Sequence, residues 1–197
     1  MGQGQLDWLL VTIVTGPENS LRVRVWRELR RLGAVYLHSA VCLLPNRTET
    51  VTAVMTLAEK AQAGGGRARI LHMRLVDPGE EAAVIAEQVA DRDREYRELV
   101  ERSAGFVNEI ELEFGRGNTT YLEVEESEAD LDRFERWFTS IAARDYFEAA
   151  GRGEAEAALT RCRALLADFQ AAALDAETET PPPTGRHAGP RMVGEEP

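Results

Sequence analysis

The sequence predicts an α+β protein, a ferredoxin-like βαββαβ sandwich followed by an α-helical subdomain, and three observations predict it. Between Trp8 and Val76, apolar runs of strand length alternate with two helical stretches in the order strand, helix, strand, strand, helix, strand. The connections are short, which makes a split βαβ arrangement the economical fold. Beyond Pro78-Gly79 the strand signal stops, and apolar residues recur at three- and four-residue steps, as in helices packed side by side. The expected division is 1–77 for the ferredoxin-like domain, 78–174 for a helical subdomain of three long helices, and 175–197 for a disordered tail.

Trp8–Thr15 is apolar with little alternation, the pattern of a strand buried on both faces, and Gly16-Pro17 ends it. Asn19 or Ser20 can then cap a helix that runs to about Leu32. Leu21, Val25, Leu29 and Leu32 form its apolar stripe, and Gly33 closes it as the residue after the C-cap. Ala34–His38 and Ala40–Leu44 read as two short strands around a turn near Ser39. A second helix spans Thr48–Ala63, with Val51, Val54, Met55, Leu57 and Ala58 available for packing. Gly64-Gly65-Gly66 stops it, and Arg67–Val76 is the fourth strand.

In the second half, Ile85, Val89, Tyr96, Leu99, Ile110 and Phe114 mark a long helix from Glu80 to about Phe114. Gly115–Asn118 reads as a turn and Thr119–Val124 as a short extended segment. The next helix is expected over Ser127–Tyr146, with Leu131, Phe134, Trp137, Phe138 and Ile141 inward, and the last over Glu154–Leu174. From Asp175 onward, prolines, glycines and charges without apolar periodicity leave too little to bury.

The 197 residues are 44% hydrophobic and 29% charged, enough for a real core and ordinary for a globular protein. The longest apolar runs are too short to cross a bilayer, and no basic stretch followed by an apolar run opens the chain, so no membrane and a cytoplasmic location are expected. Cys42 and Cys162 stand far apart and are expected as two reduced thiols. There is no zinc spacing, phosphate-binding glycine loop or nucleophile elbow, so no enzyme, no cofactor, no catalytic residue and no metal site are expected. The acidic cluster Glu123, Glu125, Glu126, Glu128 and Asp130 lacks calcium-loop spacing and reads as a solvated helix start.

Charge is distributed unevenly. The net −11 divides into +5 over residues 1–76 and −16 over 77–197. The basic part centres on the first helix, where Arg24, Arg27 and Arg31 fall on one face and Arg22 and Arg30 flank them. A guanidinium is a planar five-donor fork suited to oxyanions, and a row of them can track a phosphate backbone. Arg22, Arg24, Arg27 and Arg31 are therefore the candidate anion- or nucleic-acid-binding residues, with the acidic helical half as a competing partner that could cover them.

The wording of several segments carries a resemblance: WLLVT, RVRVWRELRRLGA and AVCLLP in the first half, then RDREYRELVERSAGFVNEIE, YLEVEESEADLDRFERWFTSIAARDYFEA and ALTRCRALLADFQ. Together they resemble the N-terminal domain of the chromate-resistance protein ChrB, over Trp8 to Ala171. The first 45 residues are also similar to the middle domain of PaaX-type repressors. The aspartate that ends the first strand in the ferredoxin-like nucleases of CRISPR spacer acquisition is missing from Val14-Thr15-Gly16-Pro17, against a metal-dependent nuclease. Full-length ChrB members act as chromate-sensitive transcriptional regulators, and the resemblance implies for this chain, a short single-module relative without their second domain, a non-enzymatic regulatory protein of the chromate or metal-stress response that binds nucleic acid or a protein partner through the basic helix. The expected partners are DNA or a protein, chromate or another oxyanion on the arginine face, and, from the opposite charges of the two halves, a second copy in a homodimer. A protein-interaction scaffold or oxyanion-binding protein that does not touch DNA is the alternative.

Overall fold

The apolar segment Trp8–Val14 forms the central strand β1 of a four-stranded sheet. The computed structural model describes residues 6–16, 19–117 and 119–179, without the side chains of Asn19 and 177–179. After β1 come α1 (Asn19–Arg31), β2 (Val35–His38), β3 (Val41–Pro45), α2 (Thr48–Ala63) and β4 (Arg67–Met73). The helical half comprises α3 (Pro78–Arg116), α4 (Tyr121–Ala142) and α5 (Arg152–Glu179). The strand order is β2-β3-β1-β4 with every neighbouring pair antiparallel, the arrangement of the expected βαββαβ sandwich.

The lack of alternation in β1 has a direct cause. Leu9, Val11 and Ile13 face α1 and α2, packing with Val25, Leu29, Cys42, Leu44, Val54 and Leu57. On the opposite face, Trp8 packs with Val35 and Leu43 of the sheet, Val84 of α3, and Phe147 from the loop after α4. The far end of this second face is open, leaving Val14 and Leu71 about half exposed.

Both helices of the sandwich stop on glycine. At the end of α1, Gly33 adopts φ +77°, its N–H donates to Arg30 O, and Ala34 N–H donates to Leu29 O, the paired bonds of a Schellman cap. The α2 terminus repeats this with Gly65 at φ +77°. The glycine run also serves a second purpose, because a Cβ on Gly66 would sit 2.4 Å from Val14 O and 2.8 Å from Ala61 O. Both obstacles are backbone and cannot swing aside. Gly66→Ala is expected to destabilise the protein by about 2–3 kcal/mol, read from urea denaturation midpoints.

Several boundaries and contacts differ from expectation. Met55 is half exposed, and its place in the α2 core is taken by Thr50, which is fully buried. The Thr50 hydroxyl donates to Pro45 O and accepts from Arg47 N–H, so the burial leaves no unmet hydrogen bond. Thr119–Val124 is not extended. Thr120 caps α4 by accepting from Glu123 N–H, and the helix begins at Tyr121. It then ends at Ala142 instead of Tyr146. At the start of α3, Asp77 accepts from Gly79 N–H and Pro78 occupies the first turn, where its missing N–H costs nothing. The helix α5 continues to Glu179, into the stretch expected as tail, and residues 180–197 lie outside the described residues.

The three long helices share two cores. Tyr96, Leu99, Ile141, Ala155 and Leu159 fill the one nearer the sheet. Phe106, Ile110, Val124, Cys162, Leu166 and Phe169 fill the one farther away. Between α4 and α5, the loop at 143–151 is tied down from several sides: Asp145 accepts from Tyr96 OH and Ala149 N–H, and Asp93 accepts from Gly151 N–H. Tyr146 OH donates to Leu32 O, and Phe147 stacks obliquely on Trp8 at 5.9 Å. That loop and the first turns of α3 join the two halves.

Candidate functional site

The apolar stripe of α1 fixes where its arginines point. With Val25 and Leu29 buried against the sheet, Arg22, Arg24, Arg27, Arg30 and Arg31 are all exposed. They do not form one row. Arg24 and Arg31 border a groove between α1 and α2, beside Glu28 and Lys60. Arg27, Arg30 and Arg31 border a cleft of about 450 Å³ between α1 and α3. Arg22 lies elsewhere, in an apolar groove with Val23, Trp26 and Tyr36. The structure therefore brings Arg24, Arg27 and Arg31 onto adjoining surfaces and separates Arg22 from them.

Their pairing is sparse. Arg31 meets Glu28 of its own helix at 2.8 Å. Among the described residues, none of Arg22, Arg24, Arg27 and Arg30 has a carboxylate within ion-pair distance. Arg30 instead stacks over Trp26 at 4.9 Å and Tyr36 at 5.9 Å. Among the described residues, the helical half brings no carboxylate within ion-pair distance of Arg22, Arg24, Arg27 or Arg30. Its wall of the cleft carries Arg92, Arg94 and Arg144, with Asp91 paired to Arg94 and Glu95 placed between the other two.

Sequence reasoning missed this second wall. Gln88 and Arg92 fall in line with Val84, Tyr96 and Leu99, so two polar residues interrupt the buried stripe of α3. That interruption was the available signal. Gln88 Nε2 donates to Gly33 O, and a Cβ on Gly33 would lie 3.2 Å from Arg92 Nη1, so both side chains press against the end of α1. The neighbours Arg144 and Asp145 have different kinds of partner. Arg144 donates to Glu95 at 2.8 Å, whereas Asp145 accepts from a phenol and an amide. Burial holds the Arg144 guanidinium below its ordinary value, with Glu95 opposing the shift and Arg92 adding to it.

The two thiols sit in separate cores, Cys42 beneath α1 and α2 and Cys162 in the helical half. Burial pushes Cys42 up to about 12 and raises Cys162 as well, which makes both poor nucleophiles. The acidic residues Glu109, Glu113, Glu123, Glu126 and Asp130 line a shallow hollow with Arg133 at its side. Among the described residues, no three His, Cys, Asp or Glu side chains are grouped to hold a metal ion, and no helix is long and apolar enough to cross a membrane.

Residues 22–180 match the family described as Protein ChrB, N-terminal. A relative named Protein ChrB, from Cupriavidus metallidurans (strain ATCC 43123 / DSM 2839 / NBRC 102507 / CH34), is 29% identical over 152 residues. The alignment covers 75% of this chain and 43% of that relative, so the chain spans less than half of the relative's length. The family match takes in most of the arginine helix together with the helical half.

Proposed function

We propose that this chain, which belongs to the ChrB N-terminal family, is a non-enzymatic regulatory protein of the chromate response that holds nucleic acid on the basic surface of α1. One observation supports this above the others. Arg24 and Arg27 are exposed, lie on adjoining surfaces with Arg31, and have no carboxylate partner among the described residues. Cations held on a rigid helix without internal partners are available to neutralise phosphates, each releasing a counterion. The net charge of −11 opposes long-range attraction, so the contact depends on this local surface and on low ionic strength.

A duplex from the chain's own promoter, titrated at several salt concentrations, tests the proposal. The triple variant Arg24→Ala, Arg27→Ala, Arg31→Ala is expected to weaken binding about tenfold or more and to flatten the salt slope by roughly 2–3. Unchanged affinity and slope would remove the assignment. A protein partner in place of nucleic acid is favoured by a different observation: Trp26 is 46% and Val23 47% exposed beside the apolar groove that holds Arg22. Absence of any duplex binding at low salt, with salt-resistant association through Trp26, would select that second reading.

A further inference from the structure

We propose that the cleft between α1 and α3 is a binding site for an oxyanion, held by Arg92 and Arg144. The cleft adjoins the Arg24 groove and shares Arg31 with it, but its inner pair Arg92 and Arg144 belongs to the helical half and does not depend on the nucleic-acid reading. Its lining carries six arginines against two carboxylates, Asp91 and Glu95. Asp91 is taken by Arg94 at 3.0 Å. Among the described residues, Glu95 alone serves the two inner guanidiniums, lying 2.8 Å from Arg92 Nε and 2.8 Å from Arg144 Nη2.

One carboxylate cannot satisfy two forks. Arg92 is only 7% exposed, and the contact of its Nε with Glu95 is close but not aligned as a hydrogen bond. Arg144 Nε is likewise buried with no acceptor among the described residues. Buried guanidinium donors without acceptors are costly, and the excess positive charge calls for an anion. An oxyanion supplies several acceptor oxygens and the missing charge together, in the bidentate geometry that guanidiniums match. Two buried acceptors, Gln88 Oε1 and Glu95 Oε2, also lack hydrogen bonds. A water or a protonated ligand oxygen can serve Gln88, whereas the Glu95 carboxylate competes with the ligand for the same arginines. Arg27 and Arg30 at the mouth extend the attraction outward.

The competition gives the proposal a test that a purely structural ion cluster would fail. The full chain is titrated calorimetrically with sodium sulfate and with sodium phosphate, at ionic strength held constant with chloride. Saturable binding of at least one of them at a single site is expected. Arg144→Gln should weaken it about tenfold or more, and Glu95→Gln should tighten it, because the removed carboxylate is the ligand's competitor. Arg161→Ala, exposed on α5 and outside both surfaces, should leave it unchanged; sulfate binding is read without any duplex, so failure of the duplex experiment and failure of this one are distinct results. A duplex that sulfate displaces assigns the site to a backbone phosphate, and a duplex that binds alongside sulfate assigns it to a free ion. No saturable binding, equal binding by Arg144→Gln, or weaker binding by a folded Glu95→Gln overturns the proposal.

Discussion

Replacing Trp8 with alanine is expected to lower the unfolding free energy by about 3–5 kcal/mol. The indole is fully buried where the sheet meets the helical half, among Val35, Leu43, Val84 and Phe147. Its removal leaves a cavity walled by a sheet, a helix and a pinned loop, none of which can move inward without breaking contacts of its own. The ring also donates from Nε1 to Glu81 Oε1 at 3.0 Å. Trp8→Phe separates the two contributions, since it keeps most of the packing and loses the hydrogen bond. It should cost less than the alanine variant. Thermal unfolding checks both, with the alanine variant melting roughly ten degrees lower. A Trp8→Ala protein as stable as the parent would mean that the two halves do not share this core.

Glu95→Ala is the second large effect, expected at about 2–3 kcal/mol by urea denaturation. Removing one member of a buried ionic cluster leaves the others uncompensated, and here two like charges remain side by side. Glu95 is 29% exposed and Arg144 13%, so solvent screens part of the repulsion and the cost falls below that of a fully buried pair. Added salt should narrow the gap between variant and parent, because the residual Arg92–Arg144 repulsion is screened. A deficit independent of salt would instead point to lost packing.

Much of the fold was legible because its determinants are local. Gly33 and the glycine run at 64–66 terminate helices through backbone conformations that follow from residue type, and the stripe Leu21, Val25, Leu29 orients α1 by periodicity alone. The failures have equally specific causes. Thr119-Thr120-Tyr121-Leu122 has strand-like side chains, and by local preference alone they compete with the Thr120-x-x-Glu123 spacing of a helix start. In the protein, Val124 buried against Phe106 and Phe169 settles the competition. Hydrophobicity alone places Met55 inward, whereas Thr50 lies inside because Pro45 and Arg47 satisfy its hydroxyl, a partnership no window of hydropathy reports.

The candidate site was less legible. The arginines of α1 were visible because they cluster in sequence, but their division among three surfaces depends on where α2, α3 and the β2–β3 turn pack. Arg92 and Arg144 are 52 positions apart, and only the return of the chain after α4 brings them to one carboxylate.

The helix α3 is 39 residues long, about 58 Å from end to end. Its first turns carry Val84 and Ile85 into the core around Trp8, while its later turns belong wholly to the helical half. A protease that cut at Pro78 would divide the sequence where its composition changes, yet it would strip the lid from the sheet. The fragment ending there would carry Trp8, Val35 and Leu43 into water, an apolar surface that invites aggregation.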